Sequence, residues 1–137
     1  NHPAYVDWAD EALSVGGTFL LQEVMGDPIL PNLGTELLAN ALQATMTQPA
    51  IEPIHGLEPA PEVSTEGAVL TQFAVPDTGQ YQVHGFAARE TIAGDAALDQ
   101  ILQFLTTSWA GHPEIRHPAG CAATSDGSCD FTELMSE

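Results

Sequence analysis

Asp27 is the first residue of this chain whose setting suggests chemistry. It follows a nearly continuous apolar run from Phe19 to Met25, which predicts a strand covered on both faces, as in the parallel sheets of α/β proteins. Gly26 permits a positive φ, and Pro28 prevents the strand from continuing. Asp27 is therefore expected just beyond the carboxyl end of a buried strand, where open α/β sheets place functional groups.

A histidine occupies a comparable place further along the chain. The apolar segment from Ala68 to Val75 predicts a second strand, and a short extended segment of alternating polar and apolar residues precedes His84. If the two strands are parallel neighbours, ~4.8 Å apart, Asp27 and His84 can reach hydrogen-bonding distance. A carboxylate that orients an imidazole is the acid–base couple of Ser-His-Asp hydrolases. Glu23 and Asp77 are alternative acids.

The two turns together resemble part of a known family. The motif GDPILPN at 26–32 is similar to the acid turn of α/β-hydrolases, and VHGF at 83–86 is similar to the loop that carries their histidine. Over residues 15–108 the order of the motifs resembles the C-terminal part of extracellular bacterial lipases and esterases, in which the acid precedes the histidine. The resemblance implies hydrolysis of carboxylic esters without a cofactor, with Asp27 orienting His84 as general base. We assign Met25, Ile29 and Phe86 to the wall of a substrate pocket, although Met25 and Phe86 also suit the core.

The nucleophile of such an enzyme is missing from the sequence. No Gly-x-Ser-x-Gly motif occurs in the 137 residues, which are few for a complete hydrolase of this kind. Two strands also cannot form a stable sheet by themselves, and the chain begins with Asn-His-Pro rather than Met. We therefore predict an α/β fold that is the C-terminal portion of a hydrolase, inert alone, with the serine supplied by an upstream portion or a second chain.

The charge of the chain is strongly acidic, with 19 Asp and Glu residues against two Arg and no Lys, for a formal net charge of −17. Such self-repulsion argues against nucleic acid and anionic membranes as partners. A basic partner, divalent cations or a saline environment would relieve it, and we favour a saline habitat. No run of about 18 apolar residues predicts a membrane span.

Cys121 and Cys129 enclose a short loop that contains a glycine, and we predict a local disulfide, with two free thiols as the alternative. A disulfide suits a secreted or periplasmic protein. His112 and His117 lie near these cysteines, but the spacing is not that of a zinc site, so we predict no metal. A weak calcium site at Asp126, Asp130 and Glu133 is an alternative, although their spacing is not that of an EF-hand.

The predicted organisation is an α/β portion over residues 1–110 and a polar tail over 111–137. Helices are predicted over Pro3–Leu13, over Glu36–Thr47 with Thr35 as N-cap, and over Ala93–Trp109. The buried face of the last helix is assigned to Leu98, Ile101, Leu102 and Leu105. Residues 48–67, rich in Pro and Glu, have no period and are predicted to form a long surface loop. The alternative function is a non-catalytic acidic module that binds a basic or cation-bridged partner through this loop.

Overall fold

The structure, a computed structural model, describes residues 3–76 and 79–134. Its centre is a four-stranded parallel sheet with flanking helices, accompanied by a two-stranded antiparallel sheet. The predicted α/β character is therefore confirmed. Among the described residues, no helix is both long enough and apolar enough to cross a bilayer.

The elements follow one another in a largely alternating order. The helices and strands are α1 (Pro3–Val15), β1 (Thr18–Val24), α2 (Asn32–Ala41), β2 (Thr45–Met46), β3 (Glu58–Pro59), β4 (Val63–Ser64), β5 (Gly67–Phe73), α3 (Gln80–His84), α4 (Ile92–Trp109) and β6 (Ile115–Arg116), with 3₁₀ turns at Phe86–Ala88 and Ala119–Ala123.

The two long strands lie side by side, which is the condition for the predicted approach of Asp27 to His84. The larger sheet has the order β1-β5-β2-β3, and β1 and β5 are parallel from Thr18 opposite Gly67 to Val24 opposite Phe73. Because the strands are parallel and in register, the turns that follow them leave the same edge of the sheet. This arrangement brings the segment after Val24 close to the segment after Phe73.

Alternate residues of β5 face two separate cores. Ala68 and Leu70 pack in a cluster with residues of α1 and α2, including Ala9 and Ala39. Phe73 belongs to a second cluster that contains alanines of α4, the residues flanking His84, both cysteines and Phe131. Every residue of β5 after Gly67 is buried, as expected for a strand covered on both faces.

The buried face of α4 is not the one predicted. Its buried residues are mostly small, namely Ala93, Gly94, Ala96 and Ala97, together with Gln100. Leu98, Leu102 and Leu105 are instead exposed. Small residues allow a close approach: a Cβ on Gly120 would lie 2.8 Å from the Cβ of Ala96. The side of α4 that carries the alanines (the alanine stripe) is therefore buried, and the side that carries Leu98, Leu102 and Leu105 (the leucine stripe) is exposed.

Two further predictions about the local structure are wrong. Helix α2 begins at Asn32, four residues before the predicted start, and ends at Ala41, because Gln43 has a positive φ of 53° and leads into β2. Thr35 consequently lies within the helix and is not its N-cap. The segment 48–67 is not an uninterrupted loop, since it contributes β3 and β4. Each of these strands has two residues, too few to produce a periodic pattern.

The tail contributes more to the fold than its polar composition predicts. Cys121 and Cys129 form the predicted disulfide, and both are fully buried. The main chain of Ala74, directly after β5, donates to the carbonyl of Cys129 at 3.0 Å and accepts from Phe131 N–H at 2.9 Å. The residues around Cys129 therefore form an isolated parallel bridge, between Asp130 and Ala74, just beyond the end of β5.

Replacing both cysteines by serine is expected to lower the free energy of unfolding by about 2 kcal/mol, the low end of the usual range because the loop is short. Urea unfolding of the variant, compared with the parent chain with and without a reducing agent, measures this change. The reduced parent should have the same free energy of unfolding as the double variant. An equal free energy of unfolding for the parent with and without the reducing agent would contradict the assignment.

Candidate active site

The acid turn begins where β1 ends and is held by one asparagine. Gly26 has a φ of 71°, a conformation that glycine adopts without steric cost. Its N–H donates to Asn32 Oδ1 at 3.0 Å, and Asn32 Nδ2 donates to the carbonyl of Val24 at 2.8 Å. The side chain of Asn32 thus ties the start of α2 to the end of β1 and fixes the path of the turn.

Both oxygens of the Asp27 carboxylate are engaged. Oδ1 accepts from the N–H groups of Ile29 at 2.8 Å and Leu30 at 3.0 Å, and Oδ2 lies 2.7 Å from His84 Nδ1. The side chain of Asp27 is only 8% exposed. Burial would raise the pKa of Asp27, but the hydrogen bonds from His84 and from the two backbone amides together lower it below its usual value. Asp27 is therefore ionised at neutral pH.

His84 is the last residue of a short helix, and apolar residues on either side of His84 are buried. The segment before it was predicted to be extended but forms α3, which wraps the chain back over the second core. Val83 and Phe86 are buried on either side, and the ring of Phe86 lies 5.0 Å from that of Phe73, centroid to centroid. The His84 side chain itself is 37% exposed. Its backbone is thus anchored in the core while its ring stays accessible.

The tautomer of His84 follows from its partner. An ionised carboxylate can only accept hydrogen bonds, so Nδ1 must carry the proton that lies between it and Asp27. Nε2 of the neutral ring then holds a free lone pair and can act as a base. The arrangement has the chemistry of an acid-oriented general base.

A cleft of about 160 Å³ opens beside this couple. Asp27, His84, Phe86 and Glu23 are among its lining residues. None of the serines in the described part of the chain lines it, and the only hydroxyl side chain there belongs to Thr35. The cleft therefore combines an acid and a base without the expected nucleophile.

The residues assigned to a substrate pocket are not all brought together. Phe86 is in the wall of the cleft, but Met25 and Ile29 are not among the residues that line it. Ile29 points to solvent and is exposed. Leu30, from the same turn, lies in the wall instead. Asp77, considered as an alternative acid, lies outside the described residues.

Glu23 is a buried acid whose role the sequence did not reveal. Its two carboxylate oxygens accept from Gln72 Nε2 at 3.0 Å and from Asn32 Nδ2 at 3.2 Å, and neither contacts His84. Gln72 Oε1 in turn accepts from the N–H groups of Ile51 and Glu52. The network connects the acid turn to the segment 48–67. A charged residue at the end of an otherwise apolar strand is the signal that could have identified it.

The two carboxyl groups predict opposite dependences of stability on pH. Burial raises the pKa of Glu23, and the nearby carboxylates of Glu36 and Glu52 add to this effect, although the hydrogen bonds from Gln72 and Asn32 oppose it. Since the folded state then holds the proton more tightly than the unfolded state, stability from Glu23 decreases as pH rises from 4.5 through the raised pKa. Asp27 has a lowered pKa, so its contribution is present above pH 3.8 and is lost as pH falls through the lowered value.

Urea unfolding in high salt, which screens the general charge repulsion, measures this dependence. Glu23→Gln is expected to flatten the decrease in stability between pH 4.5 and neutrality. Glu62→Gln, the same change at an exposed position, should leave the decrease unchanged. An equal slope in all three proteins would contradict the assignment.

One group of side chains in the described residues has the proximity needed for a metal. The ligand atoms of His117, Cys121 and Cys129 lie within 4.8 Å of one another. Both sulfurs are joined in the disulfide and are therefore not available as thiolates. His117 Nε2 lies 2.8 Å from the carbonyl of Gly127, so the imidazole holds the disulfide loop in place.

No protein-family model, curated protein or solved structure matches this chain. The site therefore has to be interpreted from its own geometry.

Proposed function

We propose that this chain is the C-terminal part of a serine hydrolase of carboxylic esters, of lipase or esterase type and with an α/β-hydrolase fold. The observation that carries the proposal is the 2.7 Å contact between Asp27 Oδ2 and His84 Nδ1, formed by turns that follow two adjacent parallel strands. Supporting it are the ionised state of Asp27 and the accessible ring of His84.

In this proposal His84 Nε2 removes the proton from a serine hydroxyl as the serine attacks the ester carbonyl. The imidazolium that forms is stabilised by the Asp27 carboxylate, and it then gives its proton to the leaving alcohol. A water molecule repeats the sequence to release the carboxylic acid. The serine comes from an upstream portion or a second chain, because these 137 residues contain no Gly-x-Ser-x-Gly motif.

We further propose that the protein is exported and adapted to a saline habitat. A buried disulfide near the sheet is a feature of proteins that fold in oxidising compartments. The net charge of −17, with no lysine, is tolerated best where salt screens the repulsion.

Covalent labelling tests the proposal. The product of the complete encoded reading frame, together with any chain that copurifies with it, is treated with a fluorophosphonate and digested, and the labelled peptide is identified by mass spectrometry. The label should fall on a serine outside the 137 residues. His84→Ala should slow labelling strongly, whereas His55→Ala, at an exposed position, should not. Absence of a label, or labelling of His84→Ala at the parent rate, would overturn the proposal.

The alternative is a non-catalytic acidic module. It is favoured by one observation: Glu52, Glu58, Glu62 and Glu66 are all exposed on the segment 48–67. A module of this kind should bind an oligolysine peptide in a salt-dependent way, and Glu62→Lys with Glu66→Lys should weaken the binding. The hydrolase proposal predicts that the same double variant is labelled at the parent rate.

A further inference from the structure

Strand β1 has one unpaired edge in the part of the chain that the structure describes. The N–H of Met25 donates to the carbonyl of Phe73, and the N–H of Gly67 donates to the carbonyl of Gly17. Odd-numbered residues of this segment therefore direct their main-chain groups to β5. By the alternation of a parallel strand, Thr18, Leu20 and Gln22 direct theirs to the opposite side. The same alternation places Val24 there, and its carbonyl is the one that accepts from Asn32.

An apolar surface continues from this edge onto α4. A groove of about 250 Å³ is lined by Leu20 and Gln22 of β1 and by Ile101, Phe104 and Leu105 of α4. The exposed leucines 98 and 102 extend it along the helix. We call the main chain of Thr18, Leu20 and Gln22 together with these α4 side chains the β1-edge surface. Unpaired strand edges and contiguous apolar patches both mark sites of association.

The other face of the sheet also exposes apolar side chains beside β1. Trp8 of α1 is about half exposed and packs edge-on against Phe19, with ring centroids 6.2 Å apart. Leu13 and Val15 of the same helix are exposed as well. An occupant that pairs with β1 would therefore meet apolar surface on both faces of the sheet, as a central strand does.

Charges around this surface favour one kind of occupant. Asp95 and Asp99 are exposed at the start of the leucine stripe of α4, and Asp7 and Asp10 are exposed on α1. A second copy of the chain would bring acidic rims together, each copy carrying a net charge of −17. The surface suits an extended apolar segment that is flanked by Lys or Arg.

The β1-edge surface also leads to the candidate active site. Gln22 lines both the apolar groove and the cleft that contains Asp27 and His84. A strand added parallel to β1, on the side of β1 away from β5, would end at the same edge of the sheet as β1 and β5.

We infer that the β1-edge surface binds the polypeptide that carries the nucleophile, as a parallel strand with basic residues at its ends. This inference rests on the proposed function for the identity of the occupant. The surface itself is defined by the open edge, the apolar groove and the acidic rim, and it can be tested without any measurement of activity.

Amide hydrogen exchange tests the open edge in the purified chain. The amides of Leu20 and Gln22 should exchange rapidly, while those of Leu21 and Glu23, which face β5, should be protected. A synthetic peptide of alternating valine and threonine with lysines at both ends should then protect Leu20 and Gln22. Slow exchange of these amides without peptide would overturn the inference, as would dimerisation through this edge in analytical ultracentrifugation.

Matched variants locate the binding, which is measured by fluorescence anisotropy of the labelled peptide. Leu102→Asp should weaken binding by about tenfold or more, and the parent chain should bind a peptide with glutamates in place of the lysines far more weakly. Leu37→Asp, on α2 and at 45% exposure comparable to the 51% of Leu102, should leave the affinity unchanged. Equal loss in both variants, or no binding, would contradict the inference while leaving the labelling result for His84 unaffected.

Discussion

Asp27→Asn is expected to lower the kcat of ester hydrolysis by about 10⁴-fold in the complete protein. Asp27 accepts from His84 Nδ1 through Oδ2 and from two backbone amides through Oδ1. Since the backbone amides need an oxygen at Oδ1, an asparagine would place its NH₂ group against His84. The imidazole would then accept at Nδ1 and carry its proton on Nε2, so the base would be lost while the turn remained intact.

Release of p-nitrophenol from a short-chain ester measures the effect. Two controls distinguish loss of the base from a general effect of the substitution and from unfolding. Glu62→Gln also replaces a carboxylate by an amide, at an exposed position outside the β1-edge surface, and should retain full turnover. The Asp27→Asn protein should also unfold in the same urea range as the parent to within about 1–2 kcal/mol. Unchanged turnover in Asp27→Asn would remove Asp27 from the mechanism.

Phe131→Ala is expected to lower the free energy of unfolding by about 3–5 kcal/mol, as for other large aromatic residues that are deleted from a core. Phe131 is fully buried and packs in the same cluster as Phe73, Val83 and Phe86. The cavity would lie beneath the residues that flank His84. We therefore expect the variant to lose the Nδ1 proton signal of His84 in NMR spectra at a lower temperature than the parent.

A neighbouring position provides the control for this variant. Leu134→Ala also removes a large apolar side chain from the tail, but Leu134 is exposed, so its effect should stay within about 0.5 kcal/mol. If Phe131→Ala lowered the free energy of unfolding as little as Leu134→Ala, the tail would not form part of the core of the domain.

The two long strands of the sheet were predictable from the sequence because they depend on strong local signals. Two apolar runs, each followed by a turn with glycine or proline, predicted two strands of a parallel sheet, and the structure pairs them as the neighbours β1 and β5. The approach of Asp27 to His84 follows from that register. What the two side chains do chemically stays a proposal, since hydrogen-bonding geometry does not supply the missing nucleophile.

Other features were decided by contacts between distant residues. The pattern of α4 contains both a leucine stripe and an alanine stripe, and periodicity favours the larger side chains. The alanines are buried because close contact with the sheet and with Gly120 needs small residues. Phe131 is buried because the disulfide and the bonds to Ala74 bring the tail to the end of β5. No local pattern carries that information.

The occupied carboxylate of Asp27 has a consequence for the timing of catalysis under the proposed function. Each of its oxygens already has its partner before any ester enters the cleft. When the imidazole gains a positive charge, the carboxylate has no need to turn or to shed water. Water molecules would have to reorient to stabilise the same charge. In the folded chain the carboxylate and its hydrogen-bond donors are already oriented, so the site is preorganised for the imidazolium.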